Sequence, residues 1–301
     1  MNKKHEILMG LKSYSLIITS LIISLQPLMS HEEVIRDSSI PKTNPLFSGL
    51  HTLSIHVRDT ITHDSVFHFL TDKLKLPVYY YPLNYGKRKY AGVYAGNLVL
   101  EPCGPYSNFS YASDDFRAIF FGLTFEPYKS ISQTANDLAG RRIAIEAGDS
   151  YIYLKDSVLC GENITISFMD KGDEKTNDKR KMDSLRYDMK TNRDNELGIE
   201  YVREIGIGYK NNPNLQKWKE LISPSELIDN QIWNESNLVD FHFTESDYKE
   251  VKSITFKVKS LKKATQYLEN NGLYGFYKDN KIELDKAKTF GLSIYLTEGI
   301  D

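Results

Sequence analysis

Only two cysteines, Cys103 and Cys160, occur in 301 residues, too few for a disulfide scaffold or a thiolate metal knot. The two could bridge in an oxidising compartment or stand as separate structural thiols. The net charge of -2 leaves no basic excess, which argues against a nucleic-acid surface. No Gly-rich phosphate loop follows a strand, and Cys-x-x-Cys, His-Glu-x-x-His and Gly-x-Ser-x-Gly are all missing. Beyond residue 30 no apolar run approaches the length of a membrane span. What is plentiful is apolar content, 41%, with 20 Tyr and 14 Phe, as expected of a globular chain with a sheet-rich core.

The amino terminus is the exception. Lys3, Lys4 and Lys12 precede the apolar run Leu16 to Leu25, and a polar stretch through Ser30 follows. This order describes a secretory signal peptide over residues 1–30, or an uncleaved anchor, and so an exported, periplasmic or extracellular protein. No Cys follows the run, which argues against lipid attachment. Residues 31–48, with Pro41 and Pro45, read as a linker or ordered arm.

From Leu50 the pattern changes. Leu53, Ile55 and Val57 alternate with Thr52, Ser54 and His56, the period of a half-buried strand. Val66, Phe69, Leu70 and Leu74 then fall on one helical stripe, closed by Leu76-Pro77. Aromatic strand material over Tyr79–Tyr81 and Tyr90–Tyr94 leads to Leu98-Val99-Leu100-Glu101. The order strand, helix, three strands returns from Val251, where Ile254, Phe256 and Val258 match Leu53, Ile55 and Val57. Two weaker copies begin at Ala118 and Val202. Four copies of one unit are themselves a fold signal.

The opening strand ending Val57-Arg58-Asp59, the helix ending Lys73-Leu74-Lys75-Leu76-Pro77 and the strand Gly96–Glu101 resemble a module of the vicinal oxygen chelate superfamily, which holds glyoxalases, extradiol dioxygenases and bleomycin-resistance proteins. The resemblance implies an α+β fold: two domains, 49–169 and 198–301, each of paired βαβββ units around a curved mixed sheet. The charged stretch 170–197 between them reads as a solvated linker, partly helical around Met182–Met189. The units pair within the chain or across a homodimer.

Metal-dependent members cup one divalent ion (Zn, Fe, Mn or Ni) with His, Glu or Gln from the first and last strands of paired units. Carried over, these positions fall on Thr52 and Glu101, Phe120 and Ser167, Glu204 and His242, and Ser253 and Tyr295 with Glu298 beyond. The set is mixed, with Glu101, Glu204 and His242 as the candidate ligands. Glu101 is also a candidate general base, and His56, on the same face as Thr52, the other catalytic candidate. His51 reads as structural, and His63 and His68, in or beside the helix, carry little functional signal. Two functions follow from the resemblance. One is a metal-free binder of a small oxygen-rich or aromatic molecule, like a bleomycin-resistance protein. The other is a divalent-metal lyase, isomerase or dioxygenase using Glu101 and Glu204 with His242.

Overall fold

The computed structural model describes residues 45–106, 117–161, 163–172, 175–191, 195–211, 214–222, 226–228, 231–233 and 239–299. The expected signal segment and most of the arm after it lie outside these residues. Among the described residues no helix is long and apolar enough to cross a membrane.

One unit repeats four times. The first comprises β1 (Phe47–Val57), α1 (Thr60–His68), β2 (Val78–Tyr85), β3 (Arg88–Tyr94) and β4 (Val99–Gly104). The second comprises β5 (Ala118–Pro127), α2 (Ile131–Gly140), β6 (Ile145–Ala147), β7 (Tyr151–Leu154) and β8 (Thr165–Met169). A helix between the halves, α3 (Lys175–Thr191), leads to the third: β9 (Ile199–Tyr209), α4 (Leu215–Ile222), β10 (Glu226–Ile228), β11 (Gln231–Trp233) and β12 (Asp240–Glu245). The fourth comprises β13 (Glu250–Val258), α5 (Leu261–Asn270), β14 (Tyr274–Lys278), β15 (Lys281–Leu284) and β16 (Ser293–Thr297).

In every unit the first strand runs parallel to the last. Units join first strand to first strand, β1 antiparallel to β5 and β9 antiparallel to β13. Phe120 pairs with Val251 to carry the sheet from one half into the other, and an isolated bridge between Asn163 and Glu250 lies beside it. Among the described residues the result is one curved, mixed sheet of sixteen strands in an α+β fold.

The helices form where the sequence supplies both a cap and a stripe. Asp59 accepts the Thr62 backbone N–H at 2.6 Å to start α1, and Ser130 and Ser260 cap α2 and α5 in the same way. Val66, Leu70 and Leu74 then bury against the apolar side of the sheet, with Leu53, Ile55 and Val57 in the same core. Gly272, at φ +63, ends the turn after α5, a conformation that favours glycine. Trp218 of α4 packs against Phe241 and Phe243 at ring centroid distances of 6.3 and 5.3 Å.

The stretch expected to be a solvated linker, partly helical around Met182–Met189, holds a 17-residue helix, α3, that extends beyond that span at both ends. Its apolar stripe is only three residues wide: Met189 is buried, and Met182 and Leu185 pack on the core. That narrow stripe is hidden among charges, which is why the sequence suggests helix only around its centre. The halves also meet through side chains. Asn97 donates to the Val202 carbonyl at 2.9 Å and accepts the Val202 N–H at 3.0 Å. The Tyr267 hydroxyl donates to the Lys73 carbonyl at 2.7 Å.

Candidate functional site

The helices cover one side of the sheet, so the other side of each half carries the polar residues. In the first half β1 sends Leu53, Ile55 and Val57 to the helices and Thr52, Ser54 and His56 to the concave side. The parallel register sets Glu101 beside Ser54 and Cys103 beside His56. Leu98 and Leu100 go to the core, so Glu101 faces inward, only 6% exposed.

Two hydroxyls hold the Glu101 carboxyl. Tyr80 donates to Oε1 at 2.5 Å and Ser54 donates to Oε2 at 3.5 Å. Burial raises its pKa to about 7, against the pull of Tyr80, the Lys171 charge and Ser54. Burial and the neighbouring carboxylate push the Tyr80 hydroxyl well above its ordinary range. Tyr80 therefore stays protonated and donates.

Gly92 makes this contact possible. It pairs with Tyr80 across β2 and β3, and a Cβ placed there would lie 2.4 Å from the Tyr80 ring. Gly92→Ala is expected to push the ring off Glu101 and raise the carboxyl pKa further, a gain of roughly tenfold in proton affinity for a lost hydrogen bond to a charged group. Carboxyl infrared titration measures this directly; an unmoved midpoint would refute the cradle.

His56 has a different fate. Its ring is stacked between Tyr106 at 3.9 Å and Phe121 at 4.0 Å, and the Arg88 guanidinium lies 4.3 Å from the centre of the Tyr106 ring. Burial, followed by the Arg88 charge, holds the imidazole well below its usual range, and so neutral. Both faces of the His56 ring are therefore covered, and the imidazole expected as a catalytic candidate sits neutral between two aromatic rings. Cys103 and Cys160 are both free, and burial raises both thiols, Cys160 to about 11, so neither is a ready nucleophile.

A β-bulge shifts the positions carried over to the second unit. The register of β1 on β5 slips between Ser54–Gly122 and Ile55–Phe120, leaving Phe121 as the extra residue. Phe120 therefore lies beside Ile55, and the concave positions of the second unit belong to Gly122 and Thr124. Thr124 shares a 3.0 Å hydrogen bond with Ser167. The row through Ser54, Glu101, Gly122 and Thr165 thus contains one carboxylate and no second strong metal donor.

Another bulge sits at His51, between the Leu50–Phe125 and Thr52–Thr124 pairs. His51 Nδ1 lies 2.7 Å from Thr52 Oγ1. Lys171 Nζ lies 2.5 Å from His51 Nε2 and 2.7 Å from Asp178 of α3. Lys181 of α3 stands 4.5 Å from the centre of the Tyr79 ring, and Arg186 donates to the Gly96 carbonyl at 3.2 Å. Through these contacts α3 lies against β1, β2 and the turn before β4, and Lys171 brings a positive charge near Glu101. Lys171 is invisible in the sequence, because nothing in a run of mixed charges marks one lysine as folded inward.

The second half repeats the layout with other residues. Glu204 pairs in register with Asp240 and Thr255, and Thr255 in turn with Tyr295. Three groups converge on Glu204 Oε1: Lys281 Nζ at 2.7 Å, Thr255 Oγ1 at 3.3 Å and His242 Nδ1 at 3.7 Å. Burial would raise this carboxyl, but His242 and Lys281 together hold it down, at about 2. Burial, with Glu283 and then Glu204 nearby, pushes Tyr295 up to about 12. Glu283 lies 3.3 Å from Lys286.

These residues do not fit a divalent ion. Of the carried-over positions in this half, Ser253 and Tyr295 are poor donors for one, and Glu204 already holds an ammonium. Among the described residues no group of three or more His, Cys, Asp or Glu is placed to share an ion.

No family model and no curated protein matches the chain. Solved structures do. A homoprotocatechuate 2,3-dioxygenase variant from B. fuscum aligns at 12% identity and a TM-score of 0.53, over 86% of this chain and 74% of that one. A 4-hydroxymandelate synthase mutant from Streptomyces coelicolor aligns at 10% and 0.54, over 83% and 92%. The 2,3-dioxygenase LapB from Pseudomonas sp. KL28 aligns at 10% and 0.53, over 84% and 92%. At such identities the likeness concerns the fold, which is shared with extradiol dioxygenases and a synthase.

Proposed function

We propose that this chain is a small-molecule enzyme of the vicinal oxygen chelate fold in which Glu101 exchanges a proton with an oxygen-rich or aromatic substrate on the concave face of the first half. The observation that supports this is a carboxyl with a pKa of about 7, facing inward and held by Tyr80 and Ser54. A group that titrates near neutrality gives and takes a proton with little loss either way. Tyr80 steadies the carboxylate while it is charged, and Lys171 adds a positive charge for an anionic intermediate or substrate oxygen. The fold's dioxygenase and synthase neighbours favour an enzyme over a pure binder. The incomplete donor set favours the second reading, a metal-free binder of the same class of molecule. Export through residues 1–30 is a further part of the proposal, checked by sequencing the amino terminus of secreted protein.

Two probes test the first reading. Homoprotocatechuate, titrated calorimetrically at about pH 6 and about pH 8, is expected to bind with an affinity that changes by up to about tenfold per pH unit on one side of neutrality. Phenylpyruvate in heavy water is expected to exchange its acidic C–H, with a loss on the order of 100-fold in Glu101→Gln. Binding that varies with pH but brings no exchange would leave the binder. If Glu101→Gln kept both behaviours, the role of Glu101 would be lost.

A further inference from the structure

The second concave face carries an inference that does not depend on the role of Glu101. We propose that Lys281 supplies there, as a fixed ammonium, the positive charge that a divalent ion would supply, so that this half is metal-independent as built and becomes a metal site once the lysine is removed.

The geometry points to this from two directions. Glu204 Oε1 and His242 Nδ1 stand 3.7 Å apart. Two ligands each about 2.1 Å from one ion, at an angle somewhat wider than tetrahedral, are separated by about that distance. The pair is therefore spaced as neighbours on a single ion. Yet Lys281 Nζ sits 2.7 Å from the same Oε1, and an ion bonded to that oxygen would lie against the ammonium. The two cations compete for one oxygen, and the one on the chain is always at hand.

The strand of origin matters as well. Glu204 and His242 come from the first and last strands of their unit, β9 and β12, whereas Lys281 comes from β15 of the neighbouring unit. Its register partner is Thr297, two residues along from Tyr295, so it enters the face from the side. Thr255 Oγ1, at 3.3 Å from Oε1, adds a hydroxyl to the same oxygen. Both partners satisfy the carboxylate without any ligand from outside.

Cobalt(II) and zinc(II) are the probes, added to the full chain and followed by calorimetry and, for cobalt, by the visible spectrum. Wild type and Glu204→Gln are expected to take up the same number of equivalents. Lys281→Met is expected to gain one equivalent, bound at least about 100-fold more tightly than any weak surface ion. Glu204→Gln or His242→Ala in the Lys281→Met background should abolish it, and Lys281→Arg should behave as wild type. The proposal is overturned if wild type loses an equivalent on Glu204→Gln, or if folded Lys281→Met gains none. Should Lys281→Met fail to fold, wild type against Glu204→Gln decides alone: equal uptake upholds the fixed ammonium, and a lost equivalent rejects it.

Discussion

Replacing Glu101 by Gln is expected to raise the stability of the protein by about 3 kcal/mol at about pH 8 and to leave it nearly unchanged at about pH 4. The folded carboxyl titrates at about 7 against an ordinary value of 4.5. A raised acid pKa means that the folded state binds more protons than the unfolded state between those two values. Stability therefore falls as pH rises from about 4.5 to about 7 and stays low above it. Each tenfold change in proton affinity corresponds to about 1.4 kcal/mol, and the interval between the two values gives the figure above. Gln keeps the shape and the acceptor for Tyr80 but never charges, so the variant escapes the penalty. Urea unfolding at the two pH values measures it. A difference of the same size at both would mean that Glu101 is not the group that titrates. A residue retained at such a cost in stability is typical of a site that needs the charge.

Glu204 is expected to act in the opposite sense and in a different window. Its carboxyl is held at about 2 against an ordinary 4.5. A depressed acid contributes stability that is complete above about 4.5 and is lost as pH falls from there to about 2. That depression alone corresponds to about 3 kcal/mol, but Lys281 and His242 are partly exposed, and solvent screening lowers the expected figure to about 2 kcal/mol. Glu204→Gln should therefore be less stable than wild type at about pH 7 and equal to it at about pH 2. A constant difference across that range would show that packing, not the ion pair, carries the effect. In an acid titration of folded wild type, Glu204 should take up its proton only as the pH approaches about 2.

The elements are easier to read from the sequence than the contacts between them. Alternation in Leu53, Ile55 and Val57 and the stripe of Val66, Leu70 and Leu74 are local properties, and both appear where their periods place them. The inward direction of Glu101 follows from Leu98 and Leu100 in the same way. Bulges defeat that arithmetic. An extra residue at Phe121 shifts the second unit by one position and puts Phe120 on the wrong side. A similar slip between Glu204 and Val202 makes Arg203 the extra residue of β9. Neither has a composition that announces it. Lys171 and Lys281 escape notice for another reason. Each acts on a carboxylate 70 or more positions away in the chain, so only the assembled sheet reveals the pairing. Tyr80 carries a faint signal: a tyrosine facing a glycine across a hairpin has room to lie flat, but the pairing of Tyr80 with Gly92 has first to be known.

The fourfold repetition of the unit has a consequence for how this protein can change. Two basins of one architecture lie in a single chain, one tuned to a neutral proton and the other to a permanent charge pair. Residues that share no partner contribute independently to stability. Substitutions around Glu101 and around Lys281 should therefore add rather than interfere. Either basin is free to drift, or to be redesigned, while its twin preserves the scaffold.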